Sequence, residues 1–332
     1  MKKFGLALII VLLIISGCSS KNTDSSDTIT IKIRTSENEE HGQGVFLTTF
    51  KRKLEDLSKG EIKVQTYFND SLYTADGALP ALISGELEMD IVSFQQTADY
   101  LPSVAMFGAT YTFKNYDHAR KVFDSKVGTE IANDIKESTG YYPVAYIYNG
   151  SRQLNLKTDK PVSTPEDLSS TVLRMPNTEA WIAVGESLGA KVAPLAYSEV
   201  YTALQTGTID AQDNPMPSVK TMKFYEVTKQ LSLTYHIVDF VLPVINAKLY
   251  DSLNDEQKSW IKEAATEAQK ACDEVILKNE SELIDFFEKE GLVISYPDID
   301  AFTQYAHNYY ENNNLTSTWD KNLYNEIQNM SE

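Results

Sequence analysis

The sequence predicts an α/β protein built from two lobes. Apolar positions alternate between a period of two and a helical period along most of the chain, which is typical of strands that alternate with helices. The chain keeps about 300 residues after its apolar N-terminal segment, which is more than one hydrophobic core usually serves. One helical pattern, 254–290, would extend ~50 Å at 1.5 Å per residue, which is longer than a small lobe.

The first part of the chain follows a β-α-β-α-β order. Ile29, Ile31 and Ile33 fall on one face of the first strand, and Gly85 ends the second helix. Asp117 is a predicted N-cap for a further helix. The order predicts a parallel sheet with helices on both faces. The predicted strands are 28–33, 62–68, 89–94 and 141–148, and the predicted helices are 45–57 and 75–84.

The same alternation returns after the turn at Asn149 and Gly150. Gly189 and Gly207 are typical helix ends, and Thr164-Pro165 and Ser198-Glu199 are typical helix starts. A second sheet region with its own helices is therefore expected. Its predicted strands are 172–175, 191–193 and 209–213, and its predicted helices are 178–187 and 199–206.

The N-terminal segment has the pattern of an export signal. Lys2 and Lys3 precede an apolar run that is too short to span a bilayer, and Ile15-Ser16-Gly17-Cys18 has the form of a lipobox. We therefore expect 1–17 to be a lipoprotein signal peptide, Cys18 to be lipidated, and 18–27 to be a flexible tether. The alternative is an ordinary signal that is cleaved at the same small residues. Either way the protein is expected outside the cytoplasm, and the first reading anchors it to the cell membrane by lipid alone.

The net charge argues against a nucleic-acid partner. The formal charge is −17, and loss of Lys2 and Lys3 with the signal would make it −19. A nucleic-acid-binding protein would need a basic face. An anionic ligand would need a locally positive cleft within this acidic protein.

Arg174 is the candidate for such a local positive charge. It lies in the apolar run 172–175 and is followed by Pro176, and no acidic residue lies within four positions of it. A buried guanidinium is costly without an anionic partner. One resolution is a ligand carboxylate held by two parallel hydrogen bonds. The other is a surface arginine that pairs with a distant acid.

Asn214 is a second candidate because it follows a strand and precedes Pro215. The proline favours an extended backbone, which directs the amide beyond the carboxyl end of the strand, where open α/β sheets bind ligands. The alternative is an asparagine that stabilises its own turn.

The remaining motifs give weaker evidence of function. Gly185-x-Ser187-x-Gly189 fits the nucleophile elbow of hydrolases, but that elbow needs a strand before the serine, and here a helix precedes it. An exported serine hydrolase is thus the weaker alternative, and no enzyme activity is expected. Cys272 has no partner for a disulfide and is expected to be a packed or half-exposed thiol. No Cys or His spacing suggests a metal site, and no cofactor is expected.

Two blocks of the chain resemble the substrate-binding proteins of tripartite ATP-independent periplasmic (TRAP) transporters, a family that binds C4-dicarboxylates and other organic acids. The likeness extends from about Ile29 to Tyr310. The first block is Tyr148-Asn149-Gly150-Ser151-Arg152-Gln153. The second contains Leu173-Arg174-Met175-Pro176, Gly189-Ala190, Pro194, Tyr197-Ser198-Glu199-Val200-Tyr201, Ala203-Leu204-Gln205, Gly207, Asp210 and Asp213-Asn214-Pro215.

The resemblance implies a periplasmic-binding-protein-like fold of type II. In that fold two lobes are joined by hinge strands, and a long helix spans both. We assign 28–149 with about 238–280 to lobe I, and 150–237 with about 281–332 to lobe II.

The resemblance also implies roles for individual residues. Arg174 would form the salt bridge to the ligand carboxylate, and Asn214 would contact the ligand. Arg152 would contact the same carboxylate or another polar group, or it would pair with an acid of the opposite lobe. Tyr197 replaces a common phenylalanine, so its ring would stack on the ligand and its hydroxyl could bond a sugar-like hydroxyl. The remaining candidates are Gln95 after the third strand, Asn177 and Trp181 beyond Arg174, and Glu37 and Asn38 in the first loop.

The expected function is therefore capture of an organic acid between two lobes, followed by delivery to the small and large membrane subunits of a transporter. The aromatic and amide residues favour a hydroxylated sugar acid such as a uronate. A C4-dicarboxylate is the alternative, with Arg152 as its second cationic site. A lipoprotein that senses or adheres without transport is a further alternative. We expect a monomer.

Overall fold

The computed structural model describes residues 28–331, and in this range it contains one ten-stranded sheet flanked by helices. The strands are β1 Ile29–Arg34, β2 Ile62–Tyr67, β3 Met89–Ser93, β4 Tyr141–Pro143, β5 Ile147–Leu156, β6 Val172–Met175, β7 Lys191–Pro194, β8 Ala211–Pro215, β9 Gln230–Asn246 and β10 Val293–Ser295. The helices are α1 Gly42–Leu57, α2 Ala75–Ser84, α3 Phe94–Thr97, α4 Tyr116–Phe123, α5 Lys126–Thr139, α6 Glu179–Ser187, α7 Val200–Thr206, α8 Met216–Thr221, α9 Ala247–Ser252, α10 Asp255–Lys289, α11 Ile299–Asn312 and α12 Lys321–Asn329.

Two long strands connect the lobes. The strand order is β2-β1-β3-β9-β5-β8-β6-β7, and β4 and β10 also pair with β9. The strands β1, β2 and β3 are parallel to one another, as are β6, β7 and β8. The strands β5 and β9 run antiparallel to each other through the centre. The α/β fold with two parallel sheet regions is as predicted, and β9 runs without interruption through the predicted lobe boundary at 237/238.

Each lobe has its own hydrophobic core, and α10 contributes to both. Ile276 is fully buried in the core of lobe I, together with Ile31 and Phe46. Phe287, about three turns further along α10, is fully buried in a core of lobe II with Phe224. The predicted lobe-spanning helix is therefore present. None of the helices within residues 28–331 is both long and apolar enough to cross a bilayer.

Side chains of α10 hold the start of β5 where it leaves lobe I. Asp273 accepts a hydrogen bond from the backbone N–H of Tyr148 at 2.8 Å. Glu280 accepts one from the N–H of Ser151 at 2.6 Å and one from the Tyr148 hydroxyl at 2.7 Å. Gly150 lies between these contacts with φ of 109°, a value that side chains rarely allow. A β-bulge at this point re-aims β5 toward lobe II.

Two local predictions differ from the structure. The N-cap of α4 is Asn115, whose side chain accepts from the N–H of His118 at 2.9 Å, whereas Asp117 lies within the first turn. The helix expected after it is divided at Asp124 and Ser125 into α4 and α5. The helix α4 ends before Ser125, and the Ser125 hydroxyl accepts a hydrogen bond from the N–H of Val127 and so caps α5.

The C-terminal helix returns to lobe I, whereas 281–332 were assigned to lobe II. Ile327 on α12 is fully buried in the core of lobe I. His118 contacts the carbonyl of Ile327 at 2.8 Å, and Gln328 donates to the carbonyl of Thr112 at 2.8 Å. The helix α11, by contrast, packs on α6 in lobe II through the cluster that contains Ala183 and Tyr310.

Candidate ligand-binding site

A cavity of about 140 Å³ lies between the two lobes. A cavity of about 150 Å³ holds a benzene-sized molecule, so this one suits a small organic acid. It lies at the carboxyl ends of β1, β3, β6, β7 and β8, which is where open α/β sheets bind ligands. Its polar lining includes Arg34, Glu37, Arg152, Arg174 and Asn214.

Arg174 lines this cavity and has no acidic partner among the described residues. The residue is 3 % exposed, and its Nε donates to the carbonyl of Leu195 at 2.8 Å. The guanidinium lies 5.7 Å from the ring centroid of Tyr197. Within residues 28–331 no carboxylate forms an ion pair with it. Burial lowers the pKa of Arg174 to about 10, against the opposing effect of Asp213, so the group stays charged at pH 7.

Arg152 also lines the cavity, but two buried acids neutralise it. Its Nε donates to Asp213 at 2.6 Å, and its Nη1 donates to Asp239 at 2.9 Å. Its guanidinium lies 4.5 Å from the ring centroid of Trp181. Burial opposes charge on both partners, yet their attraction raises the pKa of Arg152 and lowers the pKa of Asp213. The pairing expected as the alternative for Arg152 is present, and its contact with a ligand stays a prediction.

Arg34 is a third arginine of the cavity, which the sequence analysis did not name. It is 2 % exposed and lies 3.0 Å from Asp90 and 3.3 Å from Asp70. Burial raises the pKa of Asp90 to about 6, although Arg34 opposes this shift. Its signal in the sequence was weaker than that of Arg174, because its strand alternates Ile31 and Ile33 with polar residues and Glu37 follows three positions later.

Glu37 and Tyr197 lie on opposite lobes and meet at the cavity. The Tyr197 hydroxyl donates to Glu37 Oε1 at 2.9 Å. Burial raises the pKa of Tyr197 well above its usual value, and the neighbouring Glu37 adds to this effect. The Tyr197 hydroxyl was expected to bond a ligand hydroxyl, and here it bonds Glu37 instead.

Three further predicted residues line the cavity. Asn214 donates to Gln212 at 2.6 Å and accepts from Arg152 at 3.2 Å, so both ends of its amide are fixed. Trp181 is buried and its indole donates to Ser93 of lobe I at 3.3 Å. Asn177 is exposed at the rim. Whether each contacts a ligand stays a prediction.

Gln95 and Asn38 do not line the cavity, and their predicted placement is wrong. Gln95 is buried and donates to the carbonyl of Gly108 at 2.8 Å, because β3 ends at Ser93 and the short α3 turns the side chain inward. The neighbouring Gln96 lines the cavity instead. Asn38 accepts from the backbone N–H groups of Glu40 and His41, both at 3.1 Å, and so stabilises its own turn.

The cavity also contains polar residues that were not predicted. Asp239 comes from the middle of β9, where one acid interrupts a long apolar strand. Asn149 donates to Asp239 at 3.0 Å and accepts from Gln43 at 2.9 Å. The buried acid in an apolar run was the available signal for Asp239. No local signal in the sequence indicated the contact between Asn149 and Gln43, since 106 residues separate them.

The other chemical candidates do not form a catalytic site. Ser187 is fully buried at the end of α6 and donates to the carbonyl of Val184 at 2.7 Å. Cys272 is buried on α10, and burial raises the pKa of its thiol well above the usual value. No cluster of His, Cys, Asp and Glu within residues 28–331 is arranged to hold a metal ion.

The fold and the site define a two-lobed protein that binds a ligand in its interlobe cleft. The family model of the bacterial extracellular solute-binding proteins, family 7, matches residues 33–315. The chain belongs to this family and is a substrate-binding protein of a TRAP transporter, as the two sequence blocks indicated. Such proteins are extracytoplasmic and are not enzymes, so the hydrolase alternative is wrong.

Three relatives illustrate the family. The chain is 33 % identical to the sialic acid-binding periplasmic protein of Vibrio cholerae over 76 % of this chain and 78 % of that one. It is 30 % identical to the 2,3-diketo-L-gulonate-binding periplasmic protein of Escherichia coli over 88 % of each. A TRAP solute-binding protein of Roseobacter denitrificans, solved with 3-deoxy-D-manno-oct-2-ulosonic acid, shares 34 % identity and a TM-score of 0.87. That match covers 92 % of this chain and 100 % of the other, and it confirms the predicted type II fold.

Proposed function

We propose that this protein captures a hydroxylated sugar acid, such as a uronate, through a salt bridge between the ligand carboxylate and Arg174. The observation that carries the proposal is a buried, charged guanidinium that lines the cavity without an acidic partner among the described residues. The three relatives support it, because sialic acid, 2,3-diketo-L-gulonate and 3-deoxy-D-manno-oct-2-ulosonic acid are sugar acids with one carboxylate each.

The C4-dicarboxylate alternative has less support. It needs a second cationic site, for which Arg152 was the candidate. Asp213 and Asp239 neutralise Arg152, and Asp70 and Asp90 neutralise Arg34. Neither guanidinium is therefore free for a second ligand carboxylate.

The lobes would close around the acid and present it to the membrane subunits of the transporter. Contacts across the cleft, such as Trp181 to Ser93 and Tyr197 to Glu37, join the two lobes and would stabilise a closed arrangement. The proposal includes a monomer whose Cys18 is lipidated and tethers it to the membrane. Cys18 and the signal 1–17 lie outside the described residues.

A thermal-shift screen followed by calorimetry tests the proposal. The panel is D-galacturonate, D-galactonate, 3-deoxy-D-manno-oct-2-ulosonic acid and succinate. A ligand at one hundred times its Kd stabilises the fold by ~2.7 kcal/mol. Loss of one partner of a buried charge pair costs about 2–5 kcal/mol, so Arg174→Ala should weaken the best ligand at least ~30-fold.

Two variants make this test specific. Arg174→Lys keeps the charge without the planar fork and should bind with intermediate affinity. Arg52→Ala is the matched control, because the Arg52 side chain is 60 % exposed on α1, and it should bind as the wild type does. Unchanged affinity of Arg174→Ala would refute the salt bridge.

A further inference from the structure

The acidic lining of the cavity contains one buried carboxylate without an ionic partner. Glu37 is 4 % exposed and lines the cavity. The other acids of the lining differ from it, because Asp70 pairs with Arg34, Asp239 pairs with Arg152, and Asp76 is exposed in the first turn of α2. No lysine or arginine within residues 28–331 forms an ion pair with Glu37.

Hydroxyl groups of lobe II hold this carboxylate. Tyr197 and Ser218 donate to Oε1 at 2.9 and 2.8 Å, and Thr221 donates to Oε2 at 3.4 Å. His41 supports Ser218: its Nδ1 accepts from the N–H of Gln43, so neutral His41 carries its proton on Nε2, which lies 3.2 Å from the Ser218 hydroxyl. Neutral donors stabilise the negative charge of Glu37 without cancelling it. The single long contact leaves Oε2 with room to accept another hydrogen bond.

The cavity thus presents one uncompensated cation, Arg174, and one uncompensated buried anion, Glu37. We propose that Glu37 is a specificity-determining residue that restricts the site to acids with a single negative charge. Its carboxylate accepts a hydrogen bond from a hydroxyl group in the uncharged part of the ligand. It repels a second ligand carboxylate, which would otherwise fit the same space. This inference rests on the proposed role of Arg174 as the anchor of the first carboxylate.

Calorimetry with two sugar monoacids and two diacids tests the inference. D-galactonate and galactarate share one six-carbon chain and differ in the second terminal carboxylate, and D-galacturonate and succinate extend the comparison. The wild type should bind the better monoacid at least ten-fold more tightly than either diacid. Glu37→Gln keeps the size of the side chain and removes its charge, so it should narrow this ratio at least ten-fold.

Two control variants separate charge from packing. Glu39→Gln removes the same charge from an exposed position of the same loop and should keep the wild-type ratio. Tyr197→Phe removes a lobe contact but retains the Glu37 carboxylate. Tyr197→Phe should weaken the binding of both monoacids and diacids and keep the ratio of their affinities.

The outcomes distinguish the two levels of inference. Equal affinity of the wild type for monoacids and diacids, or an unchanged ratio in folded Glu37→Gln, would overturn charge selection by Glu37 even where Arg174→Ala still abolishes binding. Unchanged affinity of Arg174→Ala for the best monoacid would overturn the proposed function itself. If Glu37→Gln does not fold, equal wild-type affinity for monoacids and diacids still overturns the inference.

Discussion

Replacing Gly150 by alanine would test the hinge geometry. Gly150 has φ of 109°, and an added Cβ would lie 2.8 Å from Cβ of Pro215 and 3.4 Å from a carboxylate oxygen of Glu280. The carboxylate can move, whereas the proline ring is rigid. Pro215 directly follows Asn214 of the cavity, so a displaced Pro215 also disturbs the site.

The expected cost has two parts. A side chain at such a φ costs about 1–3 kcal/mol. Crowding against a well-packed neighbour costs a further ~1–3 kcal/mol. Gly140→Ala is the matched control, because Gly140 has φ of 81° and no atom lies within 4 Å of its added Cβ. Both variants gain equally from the stiffer unfolded chain. Gly150→Ala should therefore be less stable than Gly140→Ala by about 1–3 kcal/mol.

Urea unfolding followed by circular dichroism measures this difference through the midpoints of the two variants. Calorimetry with the best sugar acid of the panel should also show weaker binding for Gly150→Ala alone. Equal midpoints for the two variants would refute the contact with Pro215.

Two further predictions concern the buried ion pairs and the anchor. Asp213→Asn should lose about 1.5–3 kcal/mol of unfolding free energy, because a neutral amide weakens the charged hydrogen bonds with Arg152 while Asp239 still compensates the guanidinium. Asp159→Asn, at an exposed position, should leave the urea midpoint unchanged, and a midpoint for Asp213→Asn close to that control would contradict the role of the pair. Cys18→Ser should move the protein from the membrane fraction to the soluble fraction of expressing cells. Retention in the membrane fraction would argue against the lipid anchor.

Local signals were enough to predict much of the fold and one part of the site. The strand of Arg174 could be predicted from its apolar run. No acid lies near Arg174 in the sequence, and no carboxylate within residues 28–331 forms an ion pair with it, so its role as a ligand anchor stays a prediction. The ends of α2 and α7 could be predicted from Gly85 and Gly207, because a helix often ends at a residue with positive φ, and these two have φ of 87° and 79°.

The remaining features depend on contacts that are distant in sequence. Asp213 and Asp239 lie 61 and 87 residues from Arg152, so no local pattern indicated that they neutralise it. Gln95 and Gln96 are adjacent, and a strand that ends one residue earlier decides which of them faces the cavity. The helix α12 joins the core of lobe I through Ile327, and no local pattern indicates which of two cores a helix joins.

The composition of α10 limits how the lobes can move. This helix of 35 residues contains neither proline nor glycine, the usual causes of a sharp bend, and both of its halves are fastened into different cores. A rotation of one lobe relative to the other must therefore strain the backbone hydrogen bonds of α10 or separate its last turns from the core of lobe II. Glu280 lies between the two buried halves of α10 and accepts a hydrogen bond from Ser151 at the bulge of β5. Relative motion of the lobes in either direction consequently works against a stiff rod.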